Sequence, residues 1–170
     1  MQNKLPQRKQ LRLKNYDYSQ NGCYFITICT EDKKPILSEI VTVVGCDPAP
    51  KKEIRLKDCG KTVEKYINSI HMAYSSVYIE NYIIMPNHIH ILLLIDTYGQ
   101  QTNKNENGQP GSSAPTISNV ISAFKHLTNK NVGFNLWQRS FYDHIIHNET
   151  DYLNTWNYIE YNALKEYGKK

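Results

Sequence analysis

The chain has 170 residues, 40% of them hydrophobic and 21% charged, and a formal net charge of +4. That length suits one domain with a real core, here residues 1–170, and is short for two. No apolar run is long enough to span a bilayer and no apolar segment follows the basic N-terminus, so neither a membrane helix nor a signal peptide is expected and the default location is cytoplasmic.

Residues 1 to about 15 form a basic arm in which Lys4, Arg8, Lys9, Arg12 and Lys14 occur without one acidic residue. Such an arm suits a polyanion, although the charge run alone favours a solvated tail. Tyr24 to Thr30, rich in β-branched and aromatic residues after an Asn21-Gly22 turn, predicts a first strand. Ile36 to Val44 predicts a weaker second one, closed by a loop with Gly45, Asp47, Pro48 and Pro50. From Asp58 onward Val63, Tyr66, Ile67 and Ile70 recur at helical spacing, the stripe of an amphipathic helix.

Val77 to Ile84 and His88 to Ile95 are two strong strands around Met85-Pro86-Asn87, which reads as the turn of an antiparallel hairpin. Thr97 to Ala114 is polar, with no apolar periodicity, and predicts a mobile loop. Ile117, Val120, Ile121, Phe124 and Leu127 mark a second helix, with Ser118, Ser122, Lys125 and Asn129 on its other side. A short extended stretch spans Phe141 to Ile146. Asn148 as N-cap, with Glu149 and Asp151 in the first turn, opens a third helix with Tyr152, Trp156, Ile159 and Ala163 on its core stripe. The expected architecture is α+β, an antiparallel sheet with helices packed on one face. Cys23, Cys29, Cys46 and Cys59 show no metal or redox spacing and are read as reduced.

His88 and His90 stand out. In a strand with a period of two, both imidazoles project from one face, a chelating geometry, and two histidines in an Ile/Leu-rich strand need a polar or charged partner. Spacing alone leaves the third partner open among any Asp, Glu, Asn or Gln. Tyr158 and Asn162, four apart, share one flank of the third helix. With thirteen tyrosines in the chain, Tyr158 by itself would be taken for a packing residue.

Arg12-Leu13-Lys14-Asn15-Tyr16-Asp17-Tyr18-Ser19, Tyr24-Phe25-Ile26-Thr27-Ile28-Cys29-Thr30, Met85-Pro86-Asn87-His88-Ile89-His90, Trp137-Gln138-Arg139-Ser140-Phe141-Tyr142-Asp143-His144-Ile145-Ile146 and Tyr158-Ile159-Glu160-Tyr161-Asn162 together resemble the single-tyrosine HUH transposases, most of all the REP-associated tyrosine transposases. The resemblance implies a ferredoxin-like or RRM-like fold that cuts and rejoins single-stranded or hairpin DNA through a covalent 5′-phosphotyrosine. It implies Tyr158 as nucleophile, His88, His90 and Asn162 as metal ligands, and a divalent cofactor. Mg²⁺ or Mn²⁺ is expected, with Zn²⁺ as an alternative. Arg8, Arg12, Lys14, Lys125 and Arg139 are candidate DNA contacts, and both a monomer and a homodimer fit. Where the family usually has Asn-Pro, this chain has Asn162-Ala163-Leu164-Lys165, so the helix is expected to run on toward Tyr167. Two rival readings remain: a domesticated nucleic-acid-binding module that does not cut, and a phosphoesterase that uses activated water.

Overall fold

A computed structural model describes residues 20–43, 51–97 and 115–162, with Asn162 described in its backbone alone. The strands are β1 (Gly22–Cys29), β2 (Ser38–Val43), β3 (Lys51–Leu56), β4 (Val77–Met85), β5 (His88–Ile95) and β6 (Tyr142–Ile146). The helices are α1 (Asp58–Asn68), α2 (Ile70–Ala73), α3 (Ile117–Val132) and α4 (Glu149–Asn157), and a π-helical turn, Tyr158–Asn162, continues α4. One antiparallel sheet has the order β4-β5-β1-β6, and β2 and β3 pair with each other in a second. With that second pair set aside, β1-α1-β4-β5-α3-β6 is the ferredoxin-like βαββαβ arrangement.

The period of two sorts the central strands. Tyr24, Ile26 and Ile28 of β1 and Ile89, Ile91, Leu93 and Ile95 of β5 are wholly buried in one cluster with Val63, Ile67 and Ile70, and with Ile117, Val120, Ile121 and Phe124 of α3. Burial of each such side chain stabilises by roughly 1.5–3 kcal/mol, so this face carries most of the fold. The expected α3 stripe needs one correction. Leu127 is 42% exposed, and the buried residue of that turn is Thr128, whose hydroxyl accepts from Trp137 Nε1 at 2.7 Å. A buried tryptophan N–H requires an acceptor, and this selects the polar residue over its apolar neighbour.

Two further expectations are modified. Helices do not occupy one face only, because α4 lies on the opposite side of the sheet. There Tyr152 donates to Glu80 at 3.3 Å, His144 of β6 meets both Asp151 carboxylate oxygens at 3.0 Å, and Ile159 is buried. The strand β3 was not expected, since Lys51-Lys52-Glu53-Ile54-Arg55-Leu56 has only two apolar residues. Pairing with β2 supplies what propensity lacks: Ile40 faces Ile54, and Glu39 faces Arg55 with an ion pair of 3.4 Å. The basic arm, the stretch 98–114 and the chain after Asn162, where continuation toward Tyr167 was expected, lie outside the described residues.

The start of α1 crosses the root of β2 at Gly60, where an added Cβ would overlap the Leu37 carbonyl oxygen. That oxygen also accepts from Lys57 N at 2.9 Å and cannot retreat freely. Gly60→Ala is therefore expected to destabilise the protein by about 1–3 kcal/mol in urea unfolding. The steric cost outweighs the gain in helix propensity of about 1 kcal/mol that alanine brings.

Candidate active site

Asn148 caps α4 as expected, its Oδ1 accepting from Asp151 N at 2.9 Å. The hydrogen bond from His144 holds the Asp151 carboxyl below its ordinary pKa of 3.8, helped by the His147 backbone N–H, which donates to it at 3.1 Å. A carboxylate with a depressed folded-state pKa stabilises above its unfolded pKa and loses that contribution as pH falls through the folded value. Asp151→Asn should thus lower Tm by about 3 °C near pH 7. The difference from the unsubstituted protein should shrink as the pH is taken below 3.8. Thermal scans at stepped pH would show it.

At the β4–β5 turn, the Asn87 carbonyl accepts from Thr30 N and Thr30 Oγ1, both at 3.0 Å, and the Pro86 carbonyl accepts from Leu37 N at 3.0 Å. The turn is stapled to the end of β1, and so is the strand that leaves it. His88 and His90 then point to the same face, away from the aliphatic core. Their Nε2 atoms are 3.1 Å apart. His88 Nδ1 lies 2.7 Å from Asn87 Oδ1 and His90 Nδ1 lies 2.9 Å from Thr27 Oγ1. One set of neutral tautomers satisfies all three contacts: His88 Nδ1–H donates to Asn87, His90 Nε2–H donates to His88 Nε2, and the Thr27 hydroxyl donates to His90 Nδ1. Burial first, and the neighbouring His88 second, push the pKa of His90 down to about 3. His90 is 6% exposed and Phe25 stacks on it at 5.1 Å.

Tyr158 reaches this pair from the opposite layer. Its ring centroid lies 5.3 Å from that of His90 and 6.0 Å from that of Phe25, edge to face in both cases. It is half-buried, whereas Tyr161 is 62% exposed and Tyr152 is engaged with Glu80. Asn162 closes the π-helical turn that Tyr158 opens. Its backbone is therefore on the same turn, while its side chain is outside the described residues.

The donors present suit a divalent cation. Two imidazoles whose Nε2 atoms converge bring no negative charge and so leave a cation its full charge, and with the His90 pKa lowered, protons compete little with a metal for its ring nitrogen. Ligation through both Nε2 atoms requires the His90 proton to move to Nδ1, where the Thr27 hydroxyl can turn from donor to acceptor. Among the described residues no group of three His, Cys, Asp or Glu side chains could hold a metal ion. A third protein ligand of amide type, as expected for Asn162, is compatible with that.

The candidate DNA contacts separate. Lys125 donates to the backbone carbonyls of Gln138 at 2.9 Å, Ser140 at 3.0 Å and Arg139 at 3.4 Å. All three of its N–H donors are occupied, and burial pulls its pKa down to about 8. Lys125 thus holds a loop, in place of the phosphate contact expected from its position on α3. Gln138 N also donates to Cys29 O at 3.0 Å, and Cys29 pairs with His88, so the clamped loop carries exposed Arg139 to the histidine end of the sheet. Arg8, Arg12 and Lys14 are outside the described residues. Thr27, Phe25 and Asn87 escaped the sequence reading. Alternation along β1 puts Phe25 and Thr27 on one face, but only the register Thr27 to His90 identifies that face as the histidine face.

An antiparallel βαββαβ sheet with helices packed against it is the fold that the chain shares with the HUH tyrosine transposases. The chain superimposes on the structure of a REP-associated tyrosine transposase bound to a REP hairpin with a TM-score of 0.60 and 17% identity, over 91% of this chain and 74% of that one. Its fold is that of the REP-associated tyrosine transposases. The chain also superimposes on a presumptive transposase from Deinococcus radiodurans R1 with a TM-score of 0.47 and 15% identity, over 88% of this chain and 95% of that one. No protein-family model matches the chain. In sequence it is 32% identical over 169 residues to an uncharacterized protein of Haemophilus influenzae Rd, covering 92% of this chain and 88% of that protein. The chain belongs to one family with that protein.

Proposed function

We propose that the protein is a metal-dependent endonuclease and strand transferase, a transposase, that acts on single-stranded or hairpin DNA through a 5′-phosphotyrosine. One observation carries the reading: the Tyr158 ring lies 5.3 Å from the ring of His90 across the contact between helix and sheet. In this reaction the Tyr158 phenol gives up its proton as Oη attacks the scissile phosphorus, the new bond is Oη–P, and the P–O3′ bond breaks, the departing O3′ taking up a proton to leave as a 3′-hydroxyl. A later 3′-hydroxyl attacks the phosphotyrosine and restores the phenol, so rejoining needs no nucleotide cofactor. His88, His90 and Asn162 would hold Mg²⁺ or Mn²⁺, which when bound supplies Lewis acidity toward a non-bridging phosphate oxygen and offsets the high pKa of a phenol, about 10. Phe25 stacks on the His90 ring and the Thr27 hydroxyl bonds its Nδ1 in either tautomer, so the chain's own side chains orient the site. Arg139, on its clamped loop, and the basic arm suit the strand's phosphates.

The experiment is incubation of the protein with labelled hairpin oligonucleotides bearing single-stranded flanks, with and without Mn²⁺, followed by denaturing electrophoresis. A protein–DNA adduct that requires the metal supports the proposal. Binding of equal strength with and without metal, and no adduct in either, would leave the non-cleaving RRM-like module as the better account.

A further inference from the structure

The row of side chains that includes His90 continues beyond it. Directly opposed residues of antiparallel strands share a face, with Cβ atoms about 4.5–5.5 Å apart. The register runs from His90 of β5 through Thr27 of β1 to Tyr142 of β6. Thr27 spends its hydroxyl on His90, and the next side chain in the row, Tyr142, is 53% exposed. Its neighbours show that this exposure belongs to the histidine face. Phe141 packs against the aliphatic core on the other side, and His144, two residues further on, is tied to Asp151 of α4. The cover that α4 gives to this face therefore reaches His144 and leaves Tyr142 open.

We propose that Tyr142 is a stacking platform for an unpaired nucleobase next to the phosphate held at Tyr158, His88 and His90. The inference rests on the proposed function and adds a base-binding position to it. Two strand spacings of about 4.7–4.9 Å separate β5 from β6, a gap that one or two nucleotides bridge. A flat aromatic ring at the edge of an open sheet offers a base a π-face regardless of its identity. The loop entering β6 is pinned by Lys125 through three carbonyls, so the platform stands at a fixed place relative to the histidines. Among the described residues the other exposed aromatics are placed differently: Tyr78 leans on His71, Phe134 lies in the connection after α3, and Tyr161 stands on the π-helical turn and not on the sheet.

The test uses the full chain and a labelled oligothymidylate of about 16 nucleotides, together with versions carrying a single 2-aminopurine scanned along the strand. Tyr142→Leu keeps an apolar side chain but no π-face. It should weaken binding roughly five- to hundredfold and abolish the aminopurine quenching seen with the unsubstituted protein, with an unchanged thermal transition. Tyr142→Phe and Tyr142→Trp should keep both signals. Undiminished binding and quenching in Tyr142→Leu would overturn the proposal, and so would an equal loss in all three variants, which would assign the effect to the hydroxyl. The DNA reading fails if the unsubstituted protein binds neither this oligonucleotide nor the flanked hairpin, whereas binding of the hairpin alone would overturn the platform and leave that reading standing.

Discussion

Replacing Tyr158 with phenylalanine is expected to abolish the covalent adduct while leaving hairpin affinity within a factor of about three. The variant loses one oxygen and keeps the ring that packs edge-on against Phe25 and His90, so volume and burial are nearly conserved and the fold has little reason to respond. The chemistry has every reason to. With the proposed nucleophile gone, adduct formation should fall by about four orders of magnitude or more, to the background of the assay. The comparison also separates the readings. A phosphoesterase that uses activated water would continue to release a free 5′-phosphate in the Tyr158→Phe protein, and a non-cleaving module would show no adduct before the substitution either. Tyr161→Phe serves as the control, since Tyr161 shares the π-helical turn but is largely exposed.

The second large effect is expected at the imidazole pair. His88→Ala should weaken Mn²⁺ binding by about 100-fold or more and reduce adduct formation in parallel, because one of the two neutral nitrogen donors is lost outright. His88 is the better of the two to replace. His90 is nearly buried and stacked on Phe25, so its removal would also open a cavity, whereas His88 is half-exposed at the start of β5. Metal binding can be read without any DNA. A ligand that binds only the native state at 100 times its Kd raises stability by about 2.7 kcal/mol, several degrees in Tm. That increment should appear in the unsubstituted protein on addition of Mn²⁺ and disappear in His88→Ala, whose metal-free Tm should stay within about 2 °C of the parent. An unchanged Mn²⁺-dependent shift in the variant would remove His88 from the ligand set.

How much of this was legible in the sequence depended on whether the signal was local. The β4–β5 hairpin announced itself, because Pro86 and Asn87 interrupt two Ile/Leu-rich runs and turn chemistry is a property of neighbouring residues. The cap of α4 was legible for the same reason, with Asn148 followed three residues later by the N–H that it accepts. The strand β3 was not, since its stability comes from partners in β2 and not from its own charged composition. Leu127 was misassigned because the buried tryptophan that claims Thr128 sits in a different segment, and nothing in the helix itself records its need for an acceptor. The site shows the same division. The paired imidazoles and the spacing of Tyr158 and Asn162 could be read along the chain. The supports, Thr27 and Phe25, became recognisable only when β1 was laid beside β5 in register. Lys125 was not legible as a loop clamp, because a lysine on a polar helix flank looks like a surface cation until a distant loop brings three carbonyls to it.

The two faces of the main sheet have different occupants, aliphatic side chains under α1 and α3 on one and the histidine row on the other. A sheet built this way keeps the residues of the proposed site apart from those that hold the fold. Substitutions along the histidine row can alter the proposed chemistry while the hydrocarbon layer beneath stays intact, so the site can change without first requiring a sturdier scaffold.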